Sequence, residues 1–237
     1  MSPADRSALI LGVTGPVGKT LLIDLLKSGT FKTVTTIGRK EFEYNGPNKE
    51  TLVQKVVNFE KLDEYKEAFT GPFDTVFCTL GTNRAETGSA EDYLIKTEKD
   101  YVINAAKLIK QQNPSANLQF LYCSSAGAYL YMPIKTEIEQ ELTEIGFTKV
   151  SIFRPGLLKT DKIRDTASYI ERWFVTFINW FDYMFPKKAI VHVEIVSKAI
   201  RRFATEDVEG VDIDSTIKDN GTLVEEINHK QIHEIGN

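Results

Sequence analysis

Cysteine is scarce in this chain: Cys78 and Cys123 are the two among 237 residues, which excludes a disulfide framework. Both lie in apolar runs, TVFCTL and FLYCSS, as buried thiols in a reducing compartment do. An excess of one charge is also lacking. The 29 Lys+Arg against 33 Asp+Glu leave a net charge of −4. Proteins that neutralise nucleic-acid phosphates are usually basic, so no nucleic-acid partner is expected, although a small local basic site stays compatible. Nor is there a long lipid-facing run. The longest uncharged stretch, 111–134, is broken by Asn113, Pro114, Ser115, Asn117, Ser124 and Ser125. The opening MSPADRSALILG shows no long signal-type apolar region, and internal repeats, low-complexity tracts and linker compositions are missing as well.

What is present is an ordinary globular composition, 42% apolar with 15 glycines, in a length that allows one or two domains. Short β-branched runs alternate with longer helical patterns, the mark of βαβ units. The pattern predicts strands near 8–12, 33–37, 52–57, 75–79, 118–123 and 150–153, and helices near 17–27, 62–69, 90–111 and 133–145. Beyond these, 166–185, 193–205 and 222–235 read as helical, with a short strand near 211–213. Continuous apolar runs such as ALIL and TVFC suit parallel strands covered on both faces. The expected fold is therefore α/β, a doubly wound, mostly parallel sheet with a small helical C-terminal cap. One domain, 1–237, accounts for the length, with 1–156 as its core and 157–237 as the cap.

Directly after the first strand, Gly12-Val-Thr-Gly15-Pro-Val-Gly18 opens a helix. A βα turn that binds a pyrophosphate needs glycines for tight turning, close backbone approach and helix–strand packing. The helix N-terminus adds unpaired N–H groups and positive dipole. Gly18-Lys19-Thr20 imitates the end of a Walker A loop, but that motif needs glycine where Val13 stands. At the end of the second strand come Arg39 and Lys40. An NAD site usually has an acidic residue there, whereas cations suit a 2′-phosphate, so the expected cofactor is NADP(H).

Further along stand Cys78-Thr79-Leu80-Gly81-Thr82-Asn83-Arg84, Ser124-Ser125, Tyr131-Met-Pro-Ile-Lys135 and Arg154-Pro155-Gly156. With the opening glycines these resemble the short-chain dehydrogenase/reductase superfamily. More narrowly, VVNFEKLDEYKEAF, CTLGTNR, CSSAGA, FTKVSIFRPGLL and IHEIG resemble its atypical subgroup, which holds the human Tat-interactive oxidoreductase and the fungal Fmp-type mitochondrial outer-membrane proteins. The resemblance implies a Rossmann-type fold that binds NADP(H). Gly12, Gly15 and Gly18 would form the phosphate turn, with Thr14, Pro16 and Val17 supplying loop contacts, and Arg39 and Lys40 would face the 2′-phosphate. Asn58 would lie near adenine, Leu80, Gly81 and Arg84 near the ribose or nicotinamide, and Pro155 and Gly156 along the nicotinamide pocket. Tyr131 and Lys135 would also touch the cofactor.

Carbonyl reduction needs a proton delivered to the developing alkoxide. A phenol, ordinarily near pKa ~10, serves near neutrality only beside a cation. The assignment is Tyr131 as acid/base, Lys135 as activator and Ser125, or Ser124, as oxygen ligand; Tyr129 is an alternative phenol. Two features disturb it: Tyr131 comes only six positions after Ser125, and Pro133 lies between Tyr131 and Lys135. A helix starting at Pro133 would leave Tyr131 outside and lose the i,i+4 geometry. The expected function is an NADP(H)-dependent oxidoreductase of a small carbonyl or alcohol, against a non-catalytic NADP(H)-binding regulatory or scaffold protein. Trp173, Phe174, Phe177, Trp180, Phe181 and Phe185 leave four readings open: cap packing, a substrate lid, a peripheral membrane contact, or a subunit interface in a homo-oligomer. The expected location is cytoplasmic, or the cytosolic face of the mitochondrial outer membrane. Glu225, His229 and His233, four apart, read as a solvated C-terminal helix rather than a metal site, and His192 as a packing residue.

Overall fold

The computed structural model describes residues 6–81, 99–114, 117–126, 133–159, 190–206 and 208–237. β1 (Ser7–Leu11) is apolar throughout after its first residue and entirely buried, with Leu9 and Leu11 in one hydrophobic cluster and Ala8 and Ile10 in another. A strand covered on both faces belongs at the centre of a sheet. β2 (Thr33–Gly38) and β3 (Leu52–Val56) stack on one side of it, and β4 (Thr75–Cys78), β5 (Gln119–Cys123) and β6 (Lys149–Phe153) on the other. All five run parallel to it. The chain thus winds outward from β1 and returns beside it at β4, which puts the topological switch point, where doubly wound sheets bind ligands, between these two strands.

Helices cover both faces. α1 (Pro16–Ser28) begins with proline at its first position, buries Leu21, Leu22, Leu25 and Leu26, and ends at Gly29, whose φ of 62° supplies the left-handed cap. A 3-10 segment (Phe59–Phe69) stands where an α-helix over 62–69 was expected. It breaks at Lys61 and Tyr65 and buries Phe59, Leu62 and Phe69. α2 (Tyr101–Gln112) and α3 (Pro133–Glu144) pack with it on the first face. The expected helix 90–111 is described from Tyr101 onward.

The C-terminal part is built into the sheet as well as into its helical layers. After β7 (Leu157–Lys159), which pairs with β8 (Ile190–His192), α4 (Val193–Thr205) lies against α1, with the Ser197 hydroxyl donating to Val17 O at 3.1 Å. The segment 222–235, read from sequence as one helix, is instead β10 (Leu223–Ile227) followed by α5 (His229–Gly236). β10 extends the parallel sheet beside β6, and β9 (Asp214–Ile217) pairs antiparallel outside it. The strand expected at 211–213 therefore starts later, while Val211 and Ile213 pack on the second cluster. The cause is a hairpin turn, in which Gly221 takes φ 83° and Gly221 N donates to Lys218 O at 2.8 Å. The Asn228 side chain then accepts from Lys230 N and Gln231 N and Gln231 answers back, a capping box that starts α5. Among the described residues no helix is long and apolar enough to cross a membrane.

Candidate functional site

The register pairs Leu11 with Ile37 on one side and Cys78 on the other, so Gly12, Gly38 and Thr79 emerge level at the carboxyl edge of the sheet. Gly12 has φ 91°, and a Cβ there would stand 2.6 Å from the Thr79 carbonyl carbon. A Cβ on Gly18 would stand 2.2 Å from Gly12 O and 2.5 Å from Thr79 Oγ1. These two glycines are required by packing of the turn on itself and on the β4 end. The Thr79 hydroxyl locks that packing, donating to Leu11 O at 3.0 Å with Gly12 O at 3.3 Å.

Gly15 differs. Its φ of −78° suits any residue, and a Cβ would meet nothing nearer than Gly12 O at 3.5 Å, ordinary contact. Neither backbone strain nor packing among the described residues demands glycine there. It caps α1 without a side-chain hydrogen bond, and the first turn of α1 holds no acidic residue. The first-turn N–H groups of a helix have no intrahelical partners, and the dipole there favours an anion. An open, acid-free helix start fronted by a needless glycine fits a phosphate approaching the backbone. Thr14 and Pro16 flank it exposed, and Val17 is buried beneath.

Arg39 and Lys40 follow β2 at the same edge, both exposed. Beside them the β3 end brings Asn58, whose side chain accepts from Glu60 N at 3.0 Å and caps the 3-10 segment. The residue itself is exposed. Leu80 is half-buried against the first cluster, and Gly81 is exposed.

Across the crevice, β5 ends at Cys123 and delivers Ser124 and Ser125. Both hydroxyls are buried and, among the described residues, lack a hydrogen-bond partner. A buried orphan hydroxyl is costly and points to a ligand that would satisfy it. Lys135, in the first turn of α3, is 8% exposed, with its Nζ 3.5 Å from the Tyr122 phenol oxygen and 5.6 Å from that ring's centroid. Sequence reasoning overlooked Tyr122, since a tyrosine inside a buried strand reads as core. Burial pushes the Cys78 thiol up to about 12, against a Leu80 backbone hydrogen bond and the Lys135 charge, and the Cys123 thiol up to about 11, against Lys135 alone. Both stay protonated and are poor nucleophiles.

Pro155 and Gly156 prolong β6 beside these serines, and Ala126 N donates to Pro155 O at 2.7 Å. Just before them Arg154 binds Glu139 on α3 at 2.8 Å and Glu226 on β10 at 2.5 Å. Burial works against its charge, but these carboxylates outweigh it and hold the guanidinium above its ordinary pKa. Glu225 is corrected by the structure: it lies in β10, bound to Lys149 and Ser151 at 2.8 Å each, and shares no helix with the histidines. His229 and His233 are not solvated either. They meet edge to face at 4.8 Å between centroids, and both are half-buried. His192, half-buried, ends β8 and caps α4. Arg84, Tyr129, Tyr131 and the aromatic run Trp173 to Phe185 lie outside the described residues.

A parallel sheet of order 3-2-1-4-5-6, a glycine turn at its switch point and a helix start open to an anion define a Rossmann-type nucleotide-binding protein. Residues 8–147 match the model of the NAD dependent epimerase/dehydratase family. The chain belongs to that family, and within it to the atypical short-chain dehydrogenase/reductase type that binds a nicotinamide cofactor. Protein HTATIP2 of Rattus norvegicus is 39% identical over 163 residues, 67% of this chain and 65% of that protein, so the match spans slightly under two thirds of that relative's length. Protein FMP52, mitochondrial, of Debaryomyces hansenii is 30% identical over 205 residues, 82% of this chain and 86% of that protein. Among solved structures, a short chain dehydrogenase family protein from Francisella tularensis superposes with TM-score 0.64 at 14% identity, covering 96% of this chain and 98% of the other. MoeE5, in complex with UDP-glucose and NAD, gives 0.61 at 14%, covering 94% and 75%. At such identities the structural likeness concerns the fold alone.

Proposed function

We propose that the chain binds NADP(H) over the carboxyl ends of β1, β2 and β4 and uses it to interconvert a small carbonyl and its alcohol. The observation that carries this reading is Gly15 at the open start of α1, where a Cβ would meet only Gly12 O at 3.5 Å among the described residues, which leaves room for a phosphate against the backbone. Gly12, Gly15 and Gly18 with Thr14, Pro16 and Val17 would hold the pyrophosphate, and Arg39 and Lys40 the 2′-phosphate. Asn58 would sit by adenine, with Leu80, Gly81, Arg84, Pro155 and Gly156 toward the ribose and nicotinamide. Bound there, the nicotinamide supplies a hydride to the carbonyl carbon or takes one back. The chain's own work is to orient the oxygen and move the proton. A Ser125 or Ser124 hydroxyl donates to the carbonyl oxygen, and the Tyr131 phenol gives it a proton. The Lys135 ammonium stabilises the phenolate left behind.

Two experiments test the reading. The purified chain should bind NADPH more tightly than NADH, and Arg39→Ala should shrink that preference about tenfold by removing a charge-assisted contact to the 2′-phosphate. Equal affinity of the native chain for both would end the selectivity claim. With a turned-over carbonyl in hand, Tyr131→Phe should cut kcat about a hundredfold or more. Unchanged turnover would move the acid elsewhere.

A second reading has a specific observation behind it. Lys135 Nζ lies 3.5 Å from the Tyr122 phenol oxygen, and in the sequence Pro133 stands between Tyr131 and Lys135. That arrangement favours a nucleotide-binding regulatory or scaffold protein in which Lys135 holds ribose and no proton is passed. The name of the D. hansenii relative includes "mitochondrial", which supports a location at mitochondria for this chain. We place it at the cytosolic face of the outer membrane.

A further inference from the structure

We propose that His229, on the C-terminal helix, is a positioning residue for the nicotinamide side of the site. It would fix the Pro155–Gly156 strap through its ring nitrogen. The inference rests on the NADP(H) reading above. β6 and β10 are parallel neighbours, and their ladder runs on past Phe153, with Arg154 N donating to Ile227 O at 2.8 Å. Pro155 faces the other neighbour, its carbonyl accepting from Ala126 N beyond β5, so the next rung toward β10 falls to residue 156. The next donor, Gly156 N–H, lies beyond the end of β10, because the chain has already turned into α5. There it donates to His229 Nδ1 at 3.0 Å. A side chain thus takes the rung that a backbone carbonyl would have filled.

The strap is held from the other side as well, since Ala126 N donates to Pro155 O at 2.7 Å. Ala126 directly follows Ser124 and Ser125. One short chain, His229 to Gly156, Pro155 to Ala126, therefore ties the C-terminal helix to the two orphan hydroxyls. His229 is itself well anchored. It is the first residue of α5, immediately after the capping box of Asn228 and Gln231, and its ring abuts His233. His233 Nε2 lies 3.3 Å from Ile190 O, so one ring holds Gly156, the residue before β7, and the other meets the first residue of β8, its pairing partner strand. Because Nδ1 of His229 accepts, the proton of its neutral ring sits on Nε2.

The test uses the full chain and two ligands, NADPH and 2′-phospho-ADP-ribose, which lacks the nicotinamide. His229→Ala is expected to weaken NADPH binding about tenfold, the effect of one partly buried hydrogen bond left unmade, and to leave 2′-phospho-ADP-ribose within about twofold. His229→Asn puts its Oδ1 near the position of Nδ1 and should restore NADPH binding. His229→Gln carries its oxygen one bond further out and should not. If Ala does not fold, the Asn and Gln pair decides. Equal loss for both ligands, no loss for NADPH, or Asn behaving like Gln would overturn the proposal. Should the native chain bind neither ligand, the NADP(H) reading itself falls, a result distinct from all of these.

Discussion

Gly18→Ala is expected to cost about 3 kcal/mol or more of folding stability, because no rotamer change can move the obstacle. The added Cβ would stand 2.2 Å from Gly12 O and 2.8 Å from Gly12 C, both backbone atoms of the tight turn. Gly12 cannot retreat, since its own Cα faces the Thr79–Leu80 peptide, where a Cβ would stand 2.6 to 2.7 Å away. The whole β1–α1 junction would have to open, withdrawing α1 from a core in which Leu21, Leu22, Leu25 and Leu26 are all buried. For a chain of this length the expected drop in Tm is roughly 6–12 °C, read by thermal unfolding of the protein alone. A Tm within about 2 °C of the native protein would mean the turn is looser than described.

Arg154→Ala is expected to be as damaging, by about 3–5 kcal/mol, for an electrostatic reason. Glu139 has a side chain only 3% exposed, and the Arg154 guanidinium is its bidentate partner at 2.8–3.3 Å. Truncation leaves a carboxylate buried without its countercharge, whereas Glu226, 42% exposed, can turn to water. The comparison that separates charge from packing is Arg154→Met combined with Glu139→Leu. Replacing the inner pair by apolar side chains removes the stranded charge and should recover most of the stability. Urea unfolding of the native, single and double variants measures this. A double variant no more stable than Arg154→Ala would assign the effect to lost packing instead.

The central sheet was legible because its signals are local. β1 is a run of buried apolar residues, and the glycines that follow stand at a strand–helix junction, so GxxGxxG could be placed in three dimensions from spacing alone. The six parallel strands fall within about two residues of expectation for the same reason. The hairpin was lost where local signals conflict. Residues 222–235 carry apolar positions that satisfy a helical period, yet Asn220-Gly221 closes a turn, and the ladder to β6 captures Leu223–Ile227 as a strand. Tertiary pairing overrode the pattern, and Glu225 left the histidines for Lys149 and Ser151. His229 was beyond reach in a different way. Its partner, Gly156, lies 73 residues earlier, and the contact exists because β10 ends at Ile227 and turns into α5 where the next rung of the β6–β10 ladder would stand, a long-range pairing that sequence cannot reveal. The site was thus readable where one βα unit builds it and hidden where distant elements meet.

The most direct test of the account is Gly15→Ala, followed by thermal unfolding and by calorimetric titration with NADPH. The substitution keeps an allowed φ and adds only an ordinary 3.5 Å contact, so the fold should be retained, with Tm within about 3 °C of the native protein. The methyl group would fill the space kept for the pyrophosphate, so NADPH affinity should fall at least about tenfold. A folded Gly15→Ala protein that binds NADPH as tightly as the native chain would contradict the claim that this turn is a nucleotide site.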